Sequence, residues 1–174
     1  MIRRLTAFAA LLVLLVSGVV VASDESYPRF DLKGYDGGAV TSEDYRGQPL
    51  LVAFGFTRCE HICPMIAANM ASAIRLAEEQ SAGIFISVDT ERDTPVITDT
   101  YASNFGDTMT GLSGSYEQVS AAAENFKVSF AVTKTQANYT VQHTANVYVI
   151  NPDGELLDVL TFATPAEDLL AALR

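Results

Sequence analysis

The stretch LLVAFGFTRCEHICP, residues 50–64, decides how this chain folds. It opens with an unbroken apolar run, which is typical of a strand buried on both faces of a sheet. Polar residues and two cysteines, Cys59 and Cys63, follow at once, and apolar residues then recur at helical spacing to about Gln80. We therefore predict a buried strand that leads into a helix, with both cysteines in the first helical turn.

The remaining sequence alternates between strand and helix patterns. It predicts a hairpin over 30–40, a buried strand over 83–89, a helix from Thr94-Pro95, a helix from the Ser115/Gln118 capping box to Phe126, two paired strands over 146–162, and a last helix capped by Thr164 and Glu167. After the first hairpin this is a β-α-β unit followed by a β-β-α unit. That order predicts an α/β fold, a thioredoxin-like sandwich with a central mixed β-sheet flanked by helices and an N-terminal β-hairpin extension.

Composition excludes several classes of function. The chain has 174 residues, enough for one ordinary domain and a short extension. Its 21 acidic and 11 basic residues give a net charge of -10, which argues against binding nucleic acid through a basic surface. Two cysteines and two histidines are too few for a four-cysteine zinc site or a scaffold of several disulfides.

The amino terminus has the pattern of a targeting segment. Arg3 and Arg4 precede an apolar run over 7–22, the order found in export signals. We interpret 1–22 as either a cleaved signal peptide or a membrane anchor, 23–28 as a tether, and 29–174 as the folded domain. The predicted location is the periplasm, either free or anchored in the inner membrane, where a disulfide can form. The acidic exported part indicates a basic patch on its protein partner.

The Cys-x-x-x-Cys spacing suits thiol or metal chemistry. The positive end of a helix dipole favours thiolate over thiol, so the pKa of Cys59 or Cys63 should fall. Two adjacent thiolates also form a good seat for a soft cation. A structural disulfide is an alternative, but it would close only a short loop and stabilise the fold little. A pair of inert buried cysteines is a second alternative, which fits poorly with the polar neighbours.

His143 is the other candidate ligand. It lies in a predicted loop just before the strand at 146–150, a loop that in a thioredoxin-like fold faces the cysteines. Two thiolates and one imidazole form a three-coordinate site suited to Cu(I), whereas zinc would need a fourth ligand. His61 could supply one, although we interpret it as an exposed modulator of thiol pKa. The alternative for His143 is an ordinary exposed or hydrogen-bonded side chain.

Several segments resemble the Sco (SenC/PrrC-like) family, from about residue 28 to the end of the chain. They are FGFTRCEHICP at 54–64, SVDTERDTP at 87–95, GLSG at 111–114 and HTANVYVINPDG at 143–154. The combination of the two cysteines, the acidic loop and the distant histidine in this order is specific. Glu60 and His61 occupy positions where family members often carry Pro-Asp or a similar pair.

The resemblance implies a copper metallochaperone and thiol–disulfide reductant that serves the dinuclear copper centre of cytochrome c oxidase subunit II. It implies Cys59, Cys63 and His143 as ligands of Cu(I), with Cu(II) also open. Asp89 and Asp93 match the acidic loop near that site, although Asp93 could instead cap the helix at Thr94-Pro95. We interpret both Met65 and Met70 as core residues rather than copper ligands.

Two other functions stay open from the sequence. One is a metal-independent thiol–disulfide oxidoreductase, in which Cys59 attacks and Cys63 resolves the mixed disulfide. The other is a copper or redox sensor. In each case the partner would be a copper or thiol protein rather than a nucleic acid.

Overall fold

The computed structural model describes residues 28–77 and 80–174. Within these residues, none of the helices has the length and apolar character needed to cross a bilayer. The predicted signal or anchor over 1–22 and the tether up to residue 27 lie outside the described residues, so both stay predictions.

The described residues form nine strands and four helices, with one 3-10 turn at Ser42–Tyr45. The strands are β1 Asp31–Lys33, β2 Ala39–Thr41, β3 Leu50–Gly55, β4 Ala82–Ser87, β5 Met109–Leu112, β6 Phe130–Lys134, β7 Tyr139–His143, β8 Asn146–Ile150 and β9 Leu156–Thr161. The helices are α1 Ile62–Leu76, α2 Pro95–Ser103, α3 Tyr116–Asn125 and α4 Ala166–Ala172.

A five-stranded mixed sheet in the order β5-β4-β3-β8-β9 forms the centre of the fold. β3 pairs parallel with β4 and antiparallel with β8, so Leu50 lies between Ala82 and Ile150. All six residues of β3 are buried, as its continuous apolar run predicts. The N-terminal hairpin β1-β2 forms a separate small sheet. The predicted thioredoxin-like fold, with helices flanking a mixed sheet, is confirmed.

Alternate residues of β3 contribute to two cores, one on each face of the sheet. Val52 and Phe54 pack with the first hairpin and with α3 in one cluster. Leu51 and Ala53 pack with α1 and α4 in the other, which also includes Cys63. The first turn of α1, with its cysteine, is therefore fixed directly against the sheet.

Three strands were not predicted. β5 is a four-residue edge strand, too short to show a strand pattern. β6 and β7 pair only with each other, outside the central sheet. Their residues are half-buried or exposed, so the segment lacks the apolar run that marks a buried strand. The prediction that His143 lies in a loop is therefore wrong, because it is the last residue of β7.

The helix starts agree with the sequence better than the helix ends. Thr94 caps α2 by accepting a hydrogen bond from the Ile97 amide, and Ser115 forms the predicted capping box of α3. α1 ends at Leu76 rather than near Gln80, because Ala77 is already extended. The predicted Thr164 cap is also wrong. Pro165 is the N-cap of α4, and no side chain caps that helix.

Candidate metal centre

The two cysteines lie at the carboxyl end of β3, where open α/β sheets place their reactive groups. Only Cys63 is in the first turn of α1, since the helix begins at Ile62 and Cys59 lies in the preceding turn. The prediction that both occupy the helix is therefore wrong. The Cys63 amide nevertheless donates to Cys59 Sγ over 3.4 Å, which keeps the sulfurs neighbours. Both are free thiols.

The cysteines are electrostatically unequal. Burial opposes ionisation of Cys59, but hydrogen bonds from the Cys63 thiol and from the amides of Cys63, His61 and Ile62 outweigh it and lower its pKa. Burial raises the pKa of Cys63 to about 12, with a further rise from its hydrogen bond to Cys59. The predicted fall in pKa is confirmed for Cys59 alone, because only its sulfur accepts amides at the helix start.

Gly55 allows Cys63 to approach the sheet. A Cβ atom at this position would lie 2.9 Å from Cys63 Sγ and 2.7 Å from the ring of Phe85. Both distances are closer than a carbon atom can approach without displacing its neighbour. A glycine inside a buried strand marks such a close approach, and that signal was present in the sequence.

His143 reaches the cysteines from the end of β7. Its Nε2 lies 3.9 Å from Cys63 Sγ, although the two residues are eighty positions apart. Its Nδ1 lies 2.9 Å from the Thr144 carbonyl oxygen, which we interpret as an Nδ1–H donor. This leaves the Nε2 lone pair facing the cysteines. The ring of Phe56 packs edge-on at 5.9 Å and fixes the imidazole plane further.

Burial also favours the form of His143 that can bind a metal. Desolvation lowers the pKa of His143, against a smaller opposing effect of its hydrogen bond to Thr144. A lower pKa means that the neutral imidazole predominates over a wider pH range. Neutral imidazole is the form that ligates metals.

A hydrogen-bonded clasp holds the β6-β7 hairpin to the loop after β4. The Tyr139 hydroxyl donates to Asp89 Oδ1 over 2.6 Å, and Arg92 Nε donates to Asp89 Oδ2 over 2.6 Å. The guanidinium of Arg92 also lies 3.7 Å from the centroid of the Tyr139 ring, and Lys134 forms an ion pair with Glu91. Because Tyr139 begins the strand that ends at His143, this clasp positions the imidazole.

Asp93 holds the cysteine loop to the sheet. Its carboxylate accepts hydrogen bonds from the Thr57 amide and hydroxyl, at 2.8 and 2.7 Å, and from the Ser87 hydroxyl at 2.6 Å. The alternative that Asp93 caps α2 is wrong, because Thr94 is the cap. Asp93 and Asp89 are both fully buried or nearly so. Both orient the elements that carry the candidate ligands.

The structure also shows where His61, Met65 and Met70 lie relative to the core and the cysteines. His61 is exposed and precedes α1 without a side-chain cap, so its position agrees with a modulator rather than a ligand. Met70 is fully buried, as expected for a core residue. Met65 is 40% exposed, so its assignment to the core is wrong.

Cys59, Cys63 and His143 can bind one metal ion only if their sulfur and nitrogen atoms lie close together. Among the described residues, no three His, Cys, Asp or Glu side chains are already gathered into a closed site. The contact of 3.9 Å between Cys63 Sγ and His143 Nε2 is nevertheless close to the separation of two ligands that share a metal. At ordinary metal–sulfur and metal–nitrogen bond lengths that separation is roughly 3.7 Å. The contacts among Cys59, Cys63 and His143 therefore fit a three-ligand site whose geometry a bound ion would complete.

A cleft elsewhere on the protein has no side chain for thiol or imidazole chemistry. About 500 Å³ in volume, it lies between the N-terminal hairpin and α3. None of its lining residues is a cysteine or histidine, so it offers neither a thiolate nor an imidazole. The sulfur chemistry of this molecule is at the end of β3.

Sequence reasoning missed the residues that support the candidate ligands. Phe56 lies within residues 50–64, but nothing in the sequence indicates its contact with His143. Tyr139 lies in the polar segment in which no strand was predicted, so its pairing with Asp89 could not be inferred. Contacts between residues this distant depend on the hairpin, which only the fold reveals.

Comparison with known proteins gives consistent results. The SCO1/SenC family model matches residues 22–174. The Sco1 protein of Schizosaccharomyces pombe is 33% identical over 152 residues, which cover 83% of this chain and 58% of that protein. The chain thus spans less than two thirds of that relative's length.

Two solved structures share the fold. The structure of Bradyrhizobium japonicum ScoI with copper bound has 31% identity and a TM-score of 0.74, covering 84% of this chain and 96% of that one. BsSco, described through its disulfide switch as a member of the Sco family of cytochrome c oxidase assembly proteins, has 29% identity and a TM-score of 0.65, covering 85% and 92%. The SCO1/SenC family model matches all of the described residues, and this protein therefore belongs to the SCO1/SenC family.

Proposed function

We propose that this protein is a copper metallochaperone with thiol–disulfide redox capability. It would deliver copper to the dinuclear copper centre of cytochrome c oxidase subunit II, or reduce the cysteines of that centre. The observation that carries the proposal is the convergence of Cys59, Cys63 and His143 from two distant parts of the chain. Copper in the structure of the related ScoI supports the choice of metal.

Copper is the cargo in this proposal. The thiolates of Cys59 and Cys63 supply two soft ligands, and His143 Nε2 supplies the third. Soft thiolate ligands favour Cu(I) over harder cations. Copper binding would draw the proton from Cys63, whose pKa of about 12 keeps it a thiol in the metal-free protein.

The difference in exposure suggests how the ion leaves. Cys59 is partly exposed, whereas Cys63 is buried. A partner thiolate can therefore reach copper from the side of Cys59 and displace that sulfur first. After release the two sulfurs take up protons, and a partner disulfide can then oxidise the two thiols to the Cys59–Cys63 disulfide while it is itself reduced to a dithiol. The metal-bound and oxidised states therefore exclude each other.

The proposed location follows from the sequence. We propose that 1–22 directs export or anchors the protein in the inner membrane, that 23–28 is a tether, and that the domain over 29–174 works in the periplasm. An acidic domain at the membrane surface could approach subunit II through a basic patch on that partner. Fractionation of cells that express the full chain would test the location.

A Cu(I) titration of the reduced protein tests copper binding. We expect one Cu(I) per chain, and a large loss of affinity in Cys59→Ser and in Cys63→Ser. The loaded protein should then transfer its copper to the metal-free copper domain of subunit II. Unchanged stoichiometry and affinity in both serine variants would contradict the proposal.

A second function is favoured by the unequal cysteines. The lowered pKa of Cys59 and its partial exposure suit an attacking thiolate, and the neighbouring Cys63 suits a resolving thiol. Cys59 would attack a partner disulfide to form a mixed disulfide. Cys63, losing its proton, would attack Cys59 Sγ, release the partner as a dithiol and form the Cys59–Cys63 disulfide.

Assays of partner reduction by the metal-free protein distinguish copper delivery from a metal-independent redox reaction. If the redox reaction is independent of copper, reduction of a partner disulfide should proceed at the same rate in His143→Ala as in the unmodified protein. If copper delivery is the function, His143→Ala should impair copper transfer. Loss of partner reduction in His143→Ala without copper would contradict the metal-independent reaction.

A further inference from the structure

The two edges of the central sheet are protected to different degrees. At the β5 edge, α2 lies against the strand, because the Gly111 amide donates to Asp99 Oδ1 over 3.0 Å. A side chain on Gly111 would meet the backbone of Thr98, so this edge is closely covered. At the opposite edge, β9 ends the sheet and pairs only with β8. An open edge strand of this kind normally carries protective charges.

β9 exposes apolar side chains instead. Leu157, Val159 and Leu156 are 55%, 44% and 38% exposed, respectively. Asp158 is the single charged residue of this six-residue strand. We call the side chains of Leu156, Leu157 and Val159 the β9 patch. Neighbouring exposed apolar side chains mark a surface that contacts another protein or a membrane.

The β9 patch lies beside the start of the described chain. Leu156 and Val159 line a cleft of about 380 Å³ together with Pro28 and the buried ring of Phe126. Lys127 is the only charged residue in the lining of this cleft, and it is exposed. The chain therefore leaves the domain toward residue 27 next to an apolar surface with a cation at its rim.

The length of chain that precedes Pro28 limits what can cover this surface. Under the location proposed above, residues 1–22 form a membrane anchor or a cleaved signal. Residues 23–27 span at most about 18 Å when fully extended. If 1–22 is the anchor, Pro28 and the β9 patch beside it are held within that distance of the bilayer.

The backbone and the charge of the protein favour lipid over a second copy of the chain. Asp158 Oδ1 accepts a hydrogen bond from the Val159 amide over 2.7 Å, so this amide is not free to pair with another strand. Pairing of two copies would also bring together two chains with a net charge of -10 each. Lys127, in contrast, carries the charge that a lipid phosphate attracts.

We propose that the β9 patch docks on the surface of the phospholipid bilayer when 1–22 anchors the chain. The inference rests on the proposed anchor and not on copper binding. Leu157 and Val159 enter the boundary between headgroups and acyl chains, and Lys127 pairs with a headgroup phosphate. β3 lies two strands from β9, roughly 10 Å at ordinary strand spacing. The docked sheet therefore holds the cysteines at the end of β3 close to the bilayer, at a height that suits a membrane-anchored acceptor.

Tryptophan fluorescence tests the docking, because the chain has no tryptophan of its own. Leu157→Trp places one in the β9 patch. Tyr35→Trp is the matched control, since Tyr35 is exposed in the N-terminal hairpin, which bridges to Ser113 beside the β5 edge. Each full chain is reconstituted in phosphatidylcholine vesicles whose acyl chains carry bromine, a quencher of tryptophan, near the headgroups. We expect Leu157→Trp to lose most of its fluorescence and Tyr35→Trp to change little, and Val159→Trp repeats the test at a second position.

The outcomes separate this inference from the other proposals. Equal quenching of Leu157→Trp and Tyr35→Trp, or no quenching of either, overturns docking of the β9 patch. Emission at shorter wavelength without quenching, together with a dimer in sedimentation of the detergent-solubilised chain, assigns the patch to a second copy and also overturns it. Intact mass shows whether 1–22 is retained. If 1–22 is cleaved, the anchor fails, and quenching by vesicles added to the mature protein decides the docking. The Cu(I) titration tests copper binding independently.

Discussion

Cys59 and Cys63 differ in exposure and in pKa, although they are only four residues apart. Amides at the start of α1 lower the pKa of Cys59, and burial raises that of Cys63 to about 12. Cys59 should therefore react with iodoacetamide much faster than Cys63 at neutral pH. Its rate should rise with pH through a midpoint below the ordinary thiol pKa, because only thiolate reacts. Mass spectrometry of Cys59→Ser and Cys63→Ser measures each thiol alone, and equal rates would contradict this assignment.

Gly55 provides a second prediction for a single residue. In Gly55→Ala the new methyl group would meet Cys63 Sγ and the Phe85 ring, and overpacking of this kind costs roughly 1–3 kcal/mol in the free energy of unfolding. It should also displace Cys63 and weaken Cu(I) binding. Gly106→Ala is the matched control, since its nearest neighbour would be 3.8 Å away. Urea unfolding and chelator competition measure both effects, and equal behaviour of the two variants would show that the close approach is unimportant.

At the scale of elements, the β6-β7 hairpin determines where His143 lies. Tyr139→Phe keeps the ring over Arg92 and removes only the hydrogen bond to Asp89. Loss of a hydrogen bond that helps to orient a ligand lowers metal affinity by roughly tenfold or more, so we expect a drop of up to that size in Cu(I) affinity. The melting temperature should fall slightly, because the buried carboxylate of Asp89 loses one hydrogen-bond donor. Tyr116→Phe is the control, because its ring packs on Phe130 of the same hairpin and is exposed. Equal affinity in both variants would indicate that the clasp does not position the imidazole.

The elements also show how far sequence reasoning reached. β3, α1 and the pairing of β8 with β9 were predictable, because long apolar runs and strong turn residues specify them. The placement of both cysteines after β3 was also predictable. The β6-β7 hairpin was not predictable, because its side chains are half-buried or exposed and its stability depends on contacts such as the hydrogen bond between Tyr139 and Asp89. The candidate ligands could be read from the sequence, whereas the residues that orient them could not.

At the scale of the whole molecule, charge should govern the approach to a partner. The chain has a net charge of -10, and an acidic protein associates faster with a basic surface at low ionic strength. The rate of copper transfer to a subunit II domain should therefore fall as salt is raised from about 0.01 to 0.15 M, since the Debye length shortens from about 30 to 8 Å. Stopped-flow measurement would show this, with transfer to a small uncharged chelator as the control. Equal salt dependence for both acceptors would contradict electrostatic docking.

The central claim is that Cys59, Cys63 and His143 bind one copper ion together. X-ray absorption at the copper edge of the Cu(I)-loaded protein tests it most directly, because scattering by sulfur and by imidazole nitrogen is distinguishable. His61→Ala is the matched control for His143→Ala, since these are the only two histidines in the chain. The account predicts two sulfurs and one imidazole in the unmodified protein and in His61→Ala, and two sulfurs without the imidazole in His143→Ala. An imidazole signal that persists in His143→Ala, or that is missing from the unmodified protein, would contradict it.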